Sequence, residues 1–265
     1  MTYQNILTEI DGGVGIVTLN RADRHNAFDD VTILELIEAL GAMEADPAVR
    51  VVVLSSTGKS FSAGADLNWM KRAADQEPEE NLRDARNLAE MLRRIAELSK
   101  PTIARVQGPA YGGGVGVIAA CDVAIATFGA QFALTEVKLG IIPSAISPHV
   151  IAAIGARYAR RYMLTAERFS AAEGYRIGLV HEMVADADAL DAAVGEIVDS
   201  LLKNGPQAIA ACKSLIGAIA GHPLTPRLIE DTAQRIARIR ATDEAREGMS
   251  AFLEKRKPNW IAGSE

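Results

Sequence analysis

The sequence predicts an α/β fold, and three observations carry that reading. Short apolar runs alternate with helix-period stretches up to about residue 200. From Pro206 to Glu254 the pattern is helical, with no convincing strand. Apolar residues make up 49% of a 265-residue chain, enough for one large core or a core with a smaller terminal subdomain. The expected organisation is therefore an α/β core over residues 1–200 and a helical part over 201–265.

Taken in order, residues 5–10 and 14–19 alternate apolar and polar around Asp11-Gly12-Gly13, which predicts a β-hairpin. Asp29 then starts a helix whose Ile33, Leu34, Ile37, Leu40 and Met43 fall on one stripe. Strand 51–55, helix 80–98, strand 102–106, helix 113–120 and strand 122–126 continue the alternation. Glu77-Pro78-Glu79-Glu80 reads as a solvated, mobile lead-in to helix 80–98. No internal repeat or low-complexity tract is visible.

Composition narrows the class of partner. The net charge is −6 with Lys and Arg scattered, which argues against long nucleic acid. No run reaches the roughly 18 apolar residues of a membrane span, and Met1-Thr2-Tyr3-Gln4-Asn5 lacks a secretory pattern, so a cytoplasmic location is expected. Cys121 and Cys212 read as reduced core thiols. His25, His149, His181 and His222 lack ligand spacing, and no metal is expected.

Two glycine-centred loops are the strongest functional signal. Phe61-Ser62-Ala63-Gly64-Ala65-Asp66-Leu67 follows the apolar run 51–54, and Gly108-Pro109-Ala110-Tyr111-Gly112-Gly113-Gly114 follows the run 101–106. Each leads into a helical pattern, so two helix N-termini can aim free backbone N–H groups at one place. Small residues matter there because a backbone donor works only if the ligand oxygen approaches to about 3 Å. A plain strand-to-helix turn explains either loop alone; the pair is more specific.

One carboxylate stands out as a proton carrier. Glu136 lies between Phe132-Ala133-Leu134 and Leu139-Gly140-Ile141-Ile142-Pro143, an apolar setting that favours desolvation and a raised pKa. A dinucleotide site is the formal rival, since Gly114-Val115-Gly116-Val117-Ile118-Ala119 fits G-x-G-x-x-A with Glu136 twenty residues beyond Gly116. Its context is wrong, because residues 107–111 separate the strand from the glycines and the next strand ends near Thr127.

These motifs give the chain its likeness. It resembles the crotonase (enoyl-CoA hydratase/isomerase) superfamily along nearly its whole length, through F-S-A-G-A-D-L, G-P-A-Y-G-G-G-V-G-V-I-A-A-C-D-V-A-I-A and Gln131–Pro143. The resemblance implies a crotonase-like spiral of ββα units with a C-terminal helical subdomain. It implies an acyl-CoA thioester as substrate, with coenzyme A as part of that substrate and no separate cofactor. Glu136 aligns with a catalytic acid/base, and the amides of Ala65 and Gly113 with two oxyanion-hole donors. Ala63, Asp66 and Leu67 fall where the family cradles coenzyme A, and Arg24 where a basic residue meets its phosphates. Phe252 and Lys255, in an F-x-E-K-R-x-P tail, match residues that reach the CoA of a neighbouring subunit, implying a homotrimer or homohexamer.

One departure qualifies the match. Two-glutamate hydratases carry G-G-G-x-E, and the glutamate's place here is Gly116. Isomerisation, thioester hydrolysis and hydration with other help therefore stay open, as does a non-catalytic acyl-CoA binder. The stretch Pro143-Ser144-Ala145-Ile146-Ser147-Pro148-His149, with residues 65–72 and 160–169, is similar to bacterial methylglutaconyl-CoA and isoprenoid-glutaconyl-CoA hydratases. Hydration of a glutaconyl-type chain is the favoured expectation. Its distal carboxylate needs a polar partner, for which Ser144, Ser147, His149, Arg157 and Lys138 are the candidates. Trp69 and Met70 read as core or acyl-pocket residues.

Overall fold

The structure is a computed structural model describing residues 3–261. Strands β1 (Ile6–Asp11) and β2 (Val14–Leu19) form the expected hairpin. Gly12 and Gly13 have φ of +54° and +89°, the two left-handed residues that a tight hairpin turn requires. Helix α1 (Asp30–Ala45) is capped by Asp29, whose carboxylate accepts from the Thr32 amide at 2.8 Å. Its buried face is Ile33, Leu36, Ala39, Leu40 and Met43. Leu34, expected on that stripe, is 51% exposed, because position 36 lies on the face turned to the sheet and position 34 does not.

Strand β3 (Val51–Ser56) is buried along its whole length, since both faces of the sheet are covered. Val52 and Leu54 join the main core, whereas Val51 and Val53 join a second cluster on the other face. Helix α2 (Leu67–Ala74) follows the first glycine loop, and α3 (Pro78–Glu97) follows it closely. The expected lead-in is instead the first turn of α3. Pro78 at that place loses no hydrogen bond, and Glu79 and Glu80 complement the helix dipole.

Strand β4 (Thr102–Val106), the two-residue β5 (Ala110–Tyr111), α4 (Gly113–Ala120) and β6 (Val123–Thr127) follow. After β7 (Gln131–Ala133) come α5 (Ser147–Thr165), β8 (Phe169–Ser170), α6 (Ala171–Ile177), β9 (Glu182–Val184) and α7 (Ala187–Leu202). The main sheet runs β1-β2-β3-β4-β6-β9, parallel beyond the hairpin; β5-β7-β8 form a small second sheet. Helix α7 covers the second face through Leu190, Ala193, Val194 and Val198.

The helical C-terminal stretch consists of α8 (Pro206–Ile219), α9 (Pro226–Arg240) and α10 (Asp243–Glu254). Arg50 ties it to the sheet by donating to the carbonyls of Leu202, Asn204 and Trp260. Lys213 of α8 adds a 2.6 Å ion pair to Asp122, whose carboxylate also holds the Thr102 amide. Cys121 is half-buried, but Cys212 is exposed on α8, so only the first approaches the expected core position. No helix among the described residues is long and apolar enough to cross a membrane.

Candidate active site

The two glycine loops lie against each other. The first is held by a parallel bridge in which the Phe28 amide donates to Gly64 O (2.7 Å) and the Asp66 amide to Phe28 O (2.8 Å). In such a bridge the residue between, Ala65, turns its own N–H away from Phe28. Gly64 has φ +86°, and a Cβ there would meet Tyr111 O at 2.9 Å, so only glycine lets the loops approach this closely. Ser62 braces the turn from within: its hydroxyl donates to Asn26 O (2.8 Å) and accepts from the Gly64 amide (3.2 Å).

In the second loop, Gly112 has φ +48° and donates its amide to Ala133 O at 2.9 Å. Gly113 is the first residue of α4, so its amide has no acceptor within the helix. Among the described residues neither the Ala65 nor the Gly113 amide has a protein acceptor, and both residues line one cavity of about 340 Å³.

Glu136 opens a short 3₁₀ turn over 136–139 and lines the same cavity. A methyl group on Gly112 would lie 3.0 Å from its Oε1, which places the carboxylate directly over the second loop. Its Oε2 is buried and has no hydrogen-bond partner among the described residues. Burial pushes the Glu136 pKa up, with only a partial offset from its own main-chain amide. The remaining wall is largely apolar, including Phe28, Trp69, Met70, Leu88, Ile142 and Ile146. One desolvated acid and two residues with acceptor-free amides thus line a space that fits an apolar chain.

Other expected residues are placed differently. Ala63 lines the cavity and is exposed, but Arg24, Asp66, Leu67, Phe252 and Lys255 do not line it. The Asp66 side chain is turned inward, capping α2 through the amides of Asn68 and Trp69 and pairing with Arg21 at 3.2 Å. Burial alone raises its pKa, yet those amides and Arg21 outweigh it and hold the carboxyl below its usual range. Arg24 is exposed and pairs with Asp23. Leu67 and Phe252 are 71% and 83% exposed. Of the five candidates for a distal carboxylate, only Ser144 lines the cavity. His149 lies within the electrostatic reach of Glu97 on α3, and burial lowers its pKa.

Several residues that shape the site carried no sequence signal. Arg21 pairs with Asp29 (3.0 Å) as well as Asp66, fastening α1 to the first loop. Asn26 is buried and donates to Thr57 O and Ser60 O. Two arginines and three other polar residues fall within positions 21–26, and nothing in their spacing says which turn inward.

Gly116 is a packed position. A Cβ there would lie 2.3 Å from Ile146 Cγ2 and 2.8 Å from Ile146 Cβ. The space a larger residue would use is filled by Ile146, which is 2% exposed. Gly116→Ala should therefore destabilise, because overpacking costs about 1–3 kcal/mol against a helix-propensity gain of at most ~1 kcal/mol. Combined with Ile146→Ala, the pair should be more stable than the sum of the single effects by about 0.5–3 kcal/mol in urea unfolding. Simple additivity would mean that the two side chains do not compete for space.

Among the described residues no three His, Cys, Asp or Glu gather as a metal site. The family described as enoyl-CoA hydratase/isomerase matches residues 9–263. A crotonyl-CoA hydratase of Syntrophomonas wolfei is 34% identical over 99% of this chain and all of its own. A short-chain-enoyl-CoA hydratase of Clostridium acetobutylicum is 33% identical over 97% of each chain. The solved structure of an enoyl-CoA hydratase from Shewanella pealeana superposes with a TM-score of 0.94 at 44% identity, covering 97% of this chain and 96% of that one. The expected crotonase-like fold agrees with that superposition. With the family matched over nearly its full length, the chain belongs to the enoyl-CoA hydratase/isomerase family.

Proposed function

We propose that this protein is an enoyl-CoA hydratase in which the amides of Ala65 and Gly113 hold the thioester oxygen and Glu136 moves the protons. The carrying observation is that two acceptor-free amides and one desolvated carboxylate line a single apolar cavity. Water attacks C3 of the enoyl group while ionised Glu136 takes its proton. The electron pair of the double bond moves to the thioester oxygen, where the two N–H groups stabilise the enolate. Protonated Glu136 then returns the proton to C2. One acid can serve both steps in turn, which suits a site with Gly116 and Ile146 packed together.

The acyl chain is proposed to be methylglutaconyl or a related branched group. Its support is the sequence stretch after Pro143 and the position of Ser144 in the cavity wall. Assembly as a homotrimer or homohexamer is part of the same proposal, with Phe252 and Lys255 contributing to a neighbour's CoA site. The exposure of Phe252 and Leu253, at 83% and 79%, supports it. Two free cysteines suit the cytoplasm.

Incubation with a panel of enoyl-CoA esters in heavy-oxygen water tests the reading. The label should appear in a 3-hydroxyacyl-CoA. Label in a free acid would make the protein a thioester hydrolase, and a shifted double bond without label would make it an isomerase. Absence of any turnover would leave a binding protein.

A further inference from the structure

One wall of the cavity departs from its apolar character. Helix α3 brings Asn81 and Asp84 to it, three residues apart and so on one helix face. The Asp84 carboxylate is fixed through Oδ2, which accepts from Trp69 Nε1 at 3.3 Å and from Gln76 Nε2 at 3.2 Å. Both donors are neutral, both bonds are long, and no Lys or Arg pairs with Asp84 among the described residues. A carboxylate has about four lone-pair sites, so acceptor capacity remains.

Its neighbours are also incompletely satisfied. Gln76 Oε1 is buried without a partner among the described residues, and Asn81 makes a 3.4 Å contact to Gln76 O. The corner is removed from the reacting end by Trp69, whose indole reaches from the first turn of α2 to Asp84. An acyl chain whose thioester oxygen sits on the Ala65 and Gly113 amides would present its far end here.

We infer that the Asn81–Asp84 corner, with Gln76 holding Asp84 from outside the cavity lining, recognises a hydrogen-bond donor at the distal end of the acyl chain, a carboxamide or a hydroxyl, and disfavours an ionised carboxylate. The inference rests on the enoyl-CoA reading. A carboxamide matches both walls: its N–H reaches the free lone pairs of Asp84, and its oxygen accepts from the Asn81 amide. An ionised carboxylate meets the like charge of Asp84, so among the chains proposed above the corner favours a related branched chain ending in an amide or hydroxyl over methylglutaconyl itself, which fits only with its distal carboxyl carrying the proton.

The test compares methylglutaconyl-CoA with its distal carboxamide analogue, in wild type and in Asp84→Asn, by kcat/KM and by calorimetric binding. In wild type the carboxamide should be favoured at least tenfold in both measurements. Asp84→Asn should bring that ratio to one or reverse it, and Asp84→Glu should restore it. Equal or better use of the carboxylate by wild type would overturn the inference, as would a ratio unchanged in Asp84→Asn. Turnover of crotonyl-CoA without binding of either longer ester would overturn it too. If no enoyl-CoA ester is turned over while the binding order still favours the carboxamide, the hydratase reading falls and the recognition site stands.

Discussion

Glu136→Gln should reduce turnover of enoyl-CoA by about 100-fold or more, equivalent to ~2.7 kcal/mol of transition-state stabilisation. The amide keeps the shape of the side chain but accepts no proton, whereas ester binding should survive because the amides of Ala65 and Gly113 are untouched. The same variant should melt higher than wild type at neutral pH. Burial raises the Glu136 pKa in the folded state, so the folded protein binds more protons than the unfolded chain between the two pKa values. That contribution is fully present below the unfolded pKa and is lost as pH rises through the raised folded value. At pH 7 the buried charge therefore opposes folding, and glutamine relieves it, with a Tm gain of about 2–4 °C per kcal/mol recovered. Near pH 3 both states carry a protonated Glu136 and the advantage should vanish. Activity runs the other way: wild-type kcat should fall on acidification at a pH above the ordinary carboxylate range. Near-normal turnover in Glu136→Gln would remove this residue from the mechanism.

Gly113→Pro should slow the reaction by about 100–1000-fold even where the chain folds. Position 113 is the first residue of α4, a place where proline is well tolerated because its missing N–H has no helical acceptor. That N–H is nevertheless one of the two acceptor-free amides on residues lining the cavity. Gly113→Ala is the control, since its Cβ meets the same Phe28 ring at 3.2 Å while the N–H remains. The proline variant should lose roughly 100–1000-fold in kcat relative to the alanine variant, the cost of one oxyanion donor. Circular dichroism would verify that both are folded. Equal rates for the two would place the stabilising donors elsewhere.

The sequence made the parallel strands legible because each is an apolar run with turn chemistry at its ends, and 51–55 and 102–106 match the observed β3 and β4 closely. Asp29 was equally clear, since a capping carboxylate acts on its own next turn. The small second sheet was not, because β5 and β8 have two residues each and pair only through tertiary contacts. The site shows the same division. Ala65, Gly113 and Glu136 lie in local motifs and do meet at one cavity. The inward turn of Asp66 depends on Arg21, 45 positions away, and the filling of Gly116 on Ile146, thirty positions away; no local pattern encodes either. Asp84 sits among charged residues on the more exposed N-terminal half of α3, and only the approach of α2 makes it part of a wall.

In the proposed mechanism both donors to the thioester oxygen belong to the main chain, and this bears on how such a protein changes over generations. A codon change at position 65 or 113 alters a side chain but leaves the N–H in place, unless it introduces proline. The acyl wall has no such protection: Trp69, Met70, Asn81, Asp84 and Leu88 can each be exchanged singly, on two helices that carry neither donor. Heritable variation thus falls on what the cavity accepts more readily than on how its oxygen is held. A lineage can explore new acyl chains one substitution at a time without first losing the reaction.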